Sequence, residues 1–328
     1  MKAVLLNGFG GPEVLHIAET ETPTPGPGEV LVRVRASSLN RADLLQRMGH
    51  YPPPKGESDI LGLEMAGEVA QLGEGVSSVQ VGDRVCALLP GGGYAQYVTV
   101  PAGMLIKLPP KLTFAQGAAI PEAFLTAYLN LFVLGQLSPE ETVLVHAGAS
   151  GVGTSAIQLI RLAGARSIVT AGSEVKLERC ISLGASAGWN YHEGSFVPFV
   201  EEQTDGQGVD IIMDFIGGPY YHDNIASLAV DGRLLIIGTM GGAAVENVNL
   251  GTLLGRRIQV IGTALRSRSL ATKIELTAAF QAFAGEALAS GAIAPVIDSV
   301  FDWREVAQAH EYMASNKNIG KIVLNVGE

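Results

Sequence analysis

The residues with the clearest chemical potential are those of His146–Leu159, HAGASGVGTSAIQL. They follow a strand-like run, Thr142–Ala147, and open a helix-like run, Gly151–Leu162. Small residues at such a turn let a pyrophosphate approach the backbone, and the helix N-terminus offers it partial positive charge. The glycines are Gly148, Gly151 and Gly153, a G-x-x-G-x-G spacing that departs from the usual dinucleotide fingerprint. A bound dinucleotide is the expectation; a merely tight strand-to-helix turn is the alternative. The next strand, Ser167–Ala171, runs into Gly172 and Ser173. An NAD site places an acid there to hold the ribose 2′-hydroxyl, and a carboxylate would repel a 2′-phosphate. Lys176 stands three residues on, able to pair with such a phosphate, and Tyr191 can add a hydroxyl. The charge pattern favours NADPH over NADH. Glu174 argues the other way if its side chain turns inward, and Lys176 suits a solvated helix start equally well.

The rest of the chain sets limits on what surrounds this loop. It has 328 residues, enough for two domains, with 47% hydrophobic and 16% charged residues, a composition that builds a core. The net charge of −10 makes duplex nucleic acid an unsuitable partner. Only two cysteines occur, Cys86 and Cys180, too few for a four-cysteine zinc site and consistent with reduced thiols in a cytoplasmic protein. Glycines and Pro12 interrupt the N-terminal apolar run, so no signal peptide is read, and no apolar stretch is long enough to span a membrane.

Short apolar runs punctuated by Gly and Pro fill the first third: Glu29–Ala36, Ala66–Leu72, Asp83–Leu88 and Tyr94–Val100. They predict a barrel-like β domain. One helix is expected from about Asn40 to Met48, ended by Gly49. From Glu122 the texture turns helical, to Leu134. Strand and helix then alternate: a helix at Lys176–Leu183 and strands at Asp210–Ile216, Arg233–Gly238 and Arg257–Gly262. That alternation predicts a doubly wound parallel sheet, an α/β class. A long helix, Leu270–Ala289, is followed by a strand (Val296–Phe301), a helix (Arg304–Ser315) and a strand (Lys321–Val326). Two strands and a helix cannot bury themselves, so they are expected to return to the first domain. The predicted domains are 1–121 with 271–328, split, and 122–270 as an insertion that binds the cofactor.

End to end, the chain resembles the zinc-free quinone oxidoreductases of the medium-chain dehydrogenase/reductase superfamily. The resemblance runs through PGPGEVLVRV (25–34), NRADLLQRMGHYPPP (40–54), LGLEMAGEV (61–69), VGDRVCALLPGGGYAQYVTVP (81–101), IPEAFLTAYLNLF (120–132), DGRLLIIGTMGG (231–242) and NKNIGKIVL (316–324). It implies a GroES-like β-barrel catalytic domain, a Rossmann domain, NADPH as cofactor and a homodimer. The superfamily pairs sheets across a two-fold at Leu234–Gly238 and the following MetGlyGly. The zinc branch carries a ligating His in a G-H-E motif; here the segment reads Gly62–Leu63–Glu64, and Asn40 falls where a Cys ligand is usual. Asp43 and Glu64 alone make a weak zinc site, so no metal is expected.

Without a Lewis acid, alcohol oxidation is disfavoured and an acceptor that is already electrophilic is favoured, a quinone or an enone. By resemblance Tyr51 donates to the developing oxyanion and Asn40 holds the nicotinamide or the acceptor. Tyr51, beside three prolines, can equally pack its turn, and Asn40 equally suits a helix N-cap. The resemblance puts further cofactor contacts on Thr126, Ser150, Gly151, Val152, Gly172, Ser173, Lys176, Tyr191, Gly217, Met240, Leu265, Ser267 and Asn318. Arg266 and Arg268 offer charge near the phosphates or plain solvation. His146 reads as structural, since no acid or nucleophile pattern accompanies it. The expected activity is NADPH-dependent quinone reduction. A 2-alkenal or enoyl-thioester reductase is the enzymatic alternative, and a dinucleotide-binding protein without turnover the non-enzymatic one.

Overall fold

The computed structural model describes residues 1–327 and divides into two compact units. One is discontinuous, Met1–Leu125 with Arg266–Glu328; the other is central, Thr126–Leu265.

The discontinuous unit is built on a seven-stranded sheet. Strand Glu29–Ser38 pairs antiparallel with Glu64–Leu72, and that strand with Arg84–Leu88. The returning tail completes the sheet: Lys321–Asn325 runs antiparallel to Glu29–Ser38, with Val323 opposite Ser38, and Ile297–Asp302 runs parallel beyond it. Apolar alternation seats Val30, Val32, Val34 and Ala36 in the core. The helix after Asn40 spans Arg41–Arg47. Strand Tyr97–Pro101 begins later than its apolar run suggests, because Tyr94 is spent as a fully buried side chain ahead of it.

The central unit holds six strands, all parallel. Their spatial order is Ala187–Asn190, Arg166–Ala171, Thr142–Val145, Val209–Asp214, Leu228–Ile236 and Gln259–Gly262. The chain starts in the middle and winds outward in both directions, so the order reverses between Thr142–Val145 and Val209–Asp214. Ligands of such sheets bind outside the strand ends at that reversal. Strands buried on both faces explain the unbroken apolar runs, with Val143, Leu144, Ile211 and Ile212 all at 0% exposure. The helix expected over Glu122–Leu134 ends as Pro121–Tyr128; a wider turn follows at Leu129–Leu134, closed by Gly135 N–H donating to Asn130 O. Apolar spacing does not distinguish that widening from regular helix. The segment Leu234–Gly238, expected to pair sheets, belongs to an inner strand. Gln259–Gly262 is the edge instead, with Val260 exposed and Leu250 and Leu254 exposed on the helix before it.

Candidate active site

In the central unit the expected cofactor residues gather at the strand ends. Strand Thr142–Val145 leads through His146 to Ser150, which caps the helix Gly151–Leu162 by accepting from Gly153 N–H at 3.0 Å. A Cβ on Gly153 would lie 2.5 Å from the carbonyl oxygens of Ala147 and Gly148, so only glycine lets the helix start this close to the loop. The first-turn N–H groups at Gly151 and Val152 have no intrahelical acceptor and are open to an anion. The second strand delivers Gly172, where a Cβ would come within 2.3 Å of the Tyr191 hydroxyl. Ser173 occupies the N-cap position of helix Glu174–Leu183, yet its side chain makes no cap hydrogen bond. Lys176 is half-buried on the first turn. Glu174 is exposed and lines an open cavity with Trp189, Asn190 and Phe199 along the edge strand. Gly217 donates to the Asp214 carboxylate, Met240 is exposed, and Thr126 and Leu265 are buried.

Beneath this rim lies a polar network. His146, fully buried, contacts Thr170 Oγ1 through Nδ1 at 2.9 Å and Asn224 Oδ1 through Nε2 at 2.7 Å. Asn224 in turn donates Nδ2 to Asp214 Oδ2 at 3.1 Å, which fixes its amide and makes Nε2 the protonated nitrogen of His146. Burial pushes the imidazole down to about 4, partly opposed by the Asn224 bond, so it is neutral at pH 7. Thr170 carbonyl accepts from Gly148 N–H at 3.0 Å, joining the network to the glycine loop.

In the discontinuous unit the residues converge on Glu64, which has 0% exposure. Its Oε1 accepts from Ser38 Oγ, from Asn40 Nδ2 at 2.9 Å and from Lys321 Nζ at 2.7 Å; its Oε2 accepts from Glu122 N–H at 2.8 Å. Lys321 Nζ also donates to Leu39 O at 2.9 Å and Asn40 Oδ1 at 2.6 Å. Asn40 does stand at the N-cap position of its helix, but its side chain serves Glu64 and Lys321. Asp43 returns a bond to the Asn40 N–H at 2.7 Å and also accepts from Gly62 N–H and Tyr94 Oη. Burial raises the Asp43 carboxyl to about 6. It raises Glu122 to about 8, with the charge of Glu64 adding to the effect.

Tyr51, half-buried, lies under Arg266, whose guanidinium carbon is 5.1 Å from the ring centre. Arg266 is buried and donates to Pro90 O at 2.8 Å and Gln46 Oε1 at 2.8 Å, which makes it a structural cation of this unit and not a solvated one. Burial, then the charge of Glu122, raises the Tyr51 phenol, while Arg266 opposes them. Ser267 is exposed, and Asn318 donates its amide to Gly320 O at 2.8 Å. Reading the sequence missed Lys321 and Glu122. Lys321 had a signal: a cation directly ahead of the apolar run Ile322–Leu324 needs a partner. Glu122 had none, since an acid at a helix start is ordinary.

Residues 183–324 match the zinc-binding dehydrogenase family and residues 26–110 the alcohol dehydrogenase GroES-like domain. The chain is 31% identical to the quinone oxidoreductase of Rattus norvegicus over 330 residues, 99% of this chain and 97% of that protein. The Escherichia coli quinone oxidoreductase complexed with NADPH has a TM-score of 0.87 at 30% identity, covering 99% of this chain and 100% of that one. CurK enoyl reductase has a TM-score of 0.87 at 28% identity, covering 99% and 98%. The first family description implies a zinc ion, and the donors present do not fit one. Leu63 is core, Glu64 is engaged by Lys321, Asn40 and Ser38, and no group of three or more His, Cys, Asp or Glu among the described residues is placed to hold a metal. By an identity that runs the length of both proteins, the chain belongs to the medium-chain dehydrogenase/reductase superfamily with the quinone oxidoreductases, and it is an oxidoreductase.

Proposed function

We propose that this protein reduces quinones with NADPH by hydride transfer and without zinc. The observation that carries the reading is the donor set itself: Leu63 and Asn40 stand where the zinc branch has its His and Cys ligands, and Glu64 is already engaged by Lys321, Asn40 and Ser38. The dinucleotide fits the central unit: open N–H groups at Gly151 and Val152 for the pyrophosphate, a glycine at 172 that lets the Tyr191 hydroxyl pack close to the strand end, and Ser173, Lys176 and Tyr191 for the 2′-phosphate. Thr126, Gly217, Met240, Leu265, Ser267 and Asn318 stand as further contacts by family resemblance. When bound, the dihydronicotinamide supplies the hydride. Tyr51, held neutral, donates a hydrogen bond to the acceptor oxygen as charge develops there, and Asn40 orients the acceptor through its amide.

A second reading, reduction of an enoyl thioester or 2-alkenal, is favoured by the likeness to CurK enoyl reductase. It needs the same hydride and the same donors. Steady-state NADPH oxidation with an ortho-quinone against a crotonyl thioester separates the two, with metal content measured on the same sample. A higher kcat/KM for the quinone in zinc-free protein is expected. Preference for the thioester sinks the quinone reading, and cofactor binding without turnover of either acceptor favours a non-catalytic binding protein. The exposed edge strand Gln259–Gly262 with Leu250 and Leu254 offers an unpaired backbone and an apolar flank, the elements a homodimer would cover.

A further inference from the structure

An Asn side chain can face either way, and the two faces differ only in whether they donate or accept. At Asn40 the neighbours decide. Lys321 is a donor only and lies 2.6 Å from Oδ1; the Glu64 carboxylate is an acceptor only and lies 2.9 Å from Nδ2. Turning the amide over would set an ammonium against an NH₂ and a carboxylate against a carbonyl oxygen. The ion pair that enforces this is itself held, since Lys321 is anchored on Leu39 O and Glu64 on Ser38 and on the Glu122 N–H. Both charged side chains are at or below 5% exposure, whereas Asn40 is half-buried. One hydrogen of Nδ2 is taken by Glu64; the other has no acceptor among the described residues.

We propose that Lys321 is a positioning residue for the hydride acceptor: together with Glu64 it locks the Asn40 amide so that the second Nδ2 hydrogen is held out to a neutral carbonyl or quinone oxygen. Lys321 is at 5% side-chain exposure, with its ammonium on Leu39, Asn40 and Glu64, and acts through Asn40. The consequence is selective. A donor-only group at this point welcomes an acceptor oxygen bearing lone pairs and offers nothing to a hydroxyl that must donate. This deepens the functional reading above and rests on its assignment of Asn40 to the acceptor.

The test is a coupling measurement. Replacing the pair together, Glu64→Gln with Lys321→Met, avoids a lone buried charge and lets the amide turn over. Against wild type, kcat/KM for the quinone should fall roughly 10–100-fold, the loss typical when the partner orienting a functional side chain is removed. The NADPH Kd should stay within about twofold, because both side chains of the pair are buried, at 5% and 0% exposure. In an Asn40→Ala background the same pair should cause no further loss. An equal loss in both backgrounds, or none in either, overturns the proposal. If that pair does not fold, Glu64→Gln with Lys321→Gln keeps hydrogen-bonding groups at both ends and is read the same way. The coupling is also read on quinone binding to NADP⁺-loaded protein, where no hydride is available. Coupled binding without reduction would sink the functional reading and spare this one; reduction without coupling does the reverse.

Discussion

In the central unit the buried polar chain runs Thr170, His146, Asn224, Asp214, and its hub is a neutral imidazole. In the discontinuous unit the chain runs from Asn40 through Lys321 and Glu64 to the Glu122 N–H, and its buried hub is an ion pair. Both satisfy their members with bonds near 3 Å. They differ in what happens when one member is lost. Removing the neutral imidazole of the first costs hydrogen bonds; removing one ion of the second leaves a charge that low-dielectric surroundings cannot screen. The comparison also assigns duties. The central network offers no cation at pH 7, its imidazole being neutral and its Asp214 carboxylate taken up by Ile216, Gly217 and Asn224, so recognition of a phosphate's charge in the central unit must come from its rim.

The largest effect is expected where the ionic cluster is half removed. Lys321→Met alone leaves Glu64 buried at 0% exposure without a counter-ion, and should destabilise the protein by about 3–5 kcal/mol. Adding Glu64→Gln should recover most of that. Chemical denaturation of the single and double variants measures both. A single variant as stable as the double one would show that the cluster is not ionic in effect.

The two regions should also answer pH in opposite senses. His146 has its folded value lowered from 6.5 to about 4, so its contribution is full above about pH 6.5 and is lost as pH falls through about 4. The difference corresponds to roughly 3 kcal/mol at most. Glu122 has its folded value raised from 4.5 to about 8, so its contribution is present below about pH 4.5 and is lost as pH rises through about 8. Partial exposure reduces that second effect to ~1–2 kcal/mol. Thermal melts across pH 4–9 should therefore show His146→Leu flattening the acid side and Glu122→Gln the alkaline side. If either variant alters the side assigned to the other, the contrast between the regions fails.

Rim recognition gives the next effect down. Ser173→Ala with Lys176→Ala should weaken NADPH about 10–100-fold, the scale of one or two charge-assisted hydrogen bonds, and leave NADH within about twofold. Fluorescence titration with both nucleotides decides. Equal loss for the two would refute the 2′-phosphate assignment.

Much of this was legible in residue order. The strand–loop–helix around Gly148–Gly153 and the return of Lys321–Asn325 to Glu29–Ser38 follow from periodicity and from the need of a short tail to bury itself. The hairpin of Lys2–Leu6 with Leu15–Glu19 was not read, because the glycines at 8, 10 and 11 lie in a connection too long and irregular to declare a tight turn between two five-residue strands. The helices Val197–Gln203, Tyr221–Ser227 and Leu250–Arg256 were also missed; each spans about two turns, too short for apolar periodicity to declare itself. Within the candidate site, Asn40 and Tyr51 were offered by family resemblance, whereas the partners that hold the Asn40 amide lie 24 and 281 residues away. Sequence spacing carries no information about a contact of that separation.

The smallest expected effect sits beside the largest rim effect. Glu174 adjoins Ser173 and is the acid that would select NADH if it turned toward the ribose. It is instead exposed, on the side of the helix that lines the cavity with Trp189 and Phe199. As a first-turn acid it helps its helix by ~0.3–1 kcal/mol, and Glu174→Gln should lose no more than that in stability. Its loss should change the NADPH Kd less than about threefold, since an exposed charge is screened over roughly 10 Å at ordinary salt. A tenfold tightening of NADPH in the variant would mean that the carboxylate does face the 2′-phosphate. The charge discrimination assigned to Ser173 and Lys176 would then have to be shared with a repulsive neighbour.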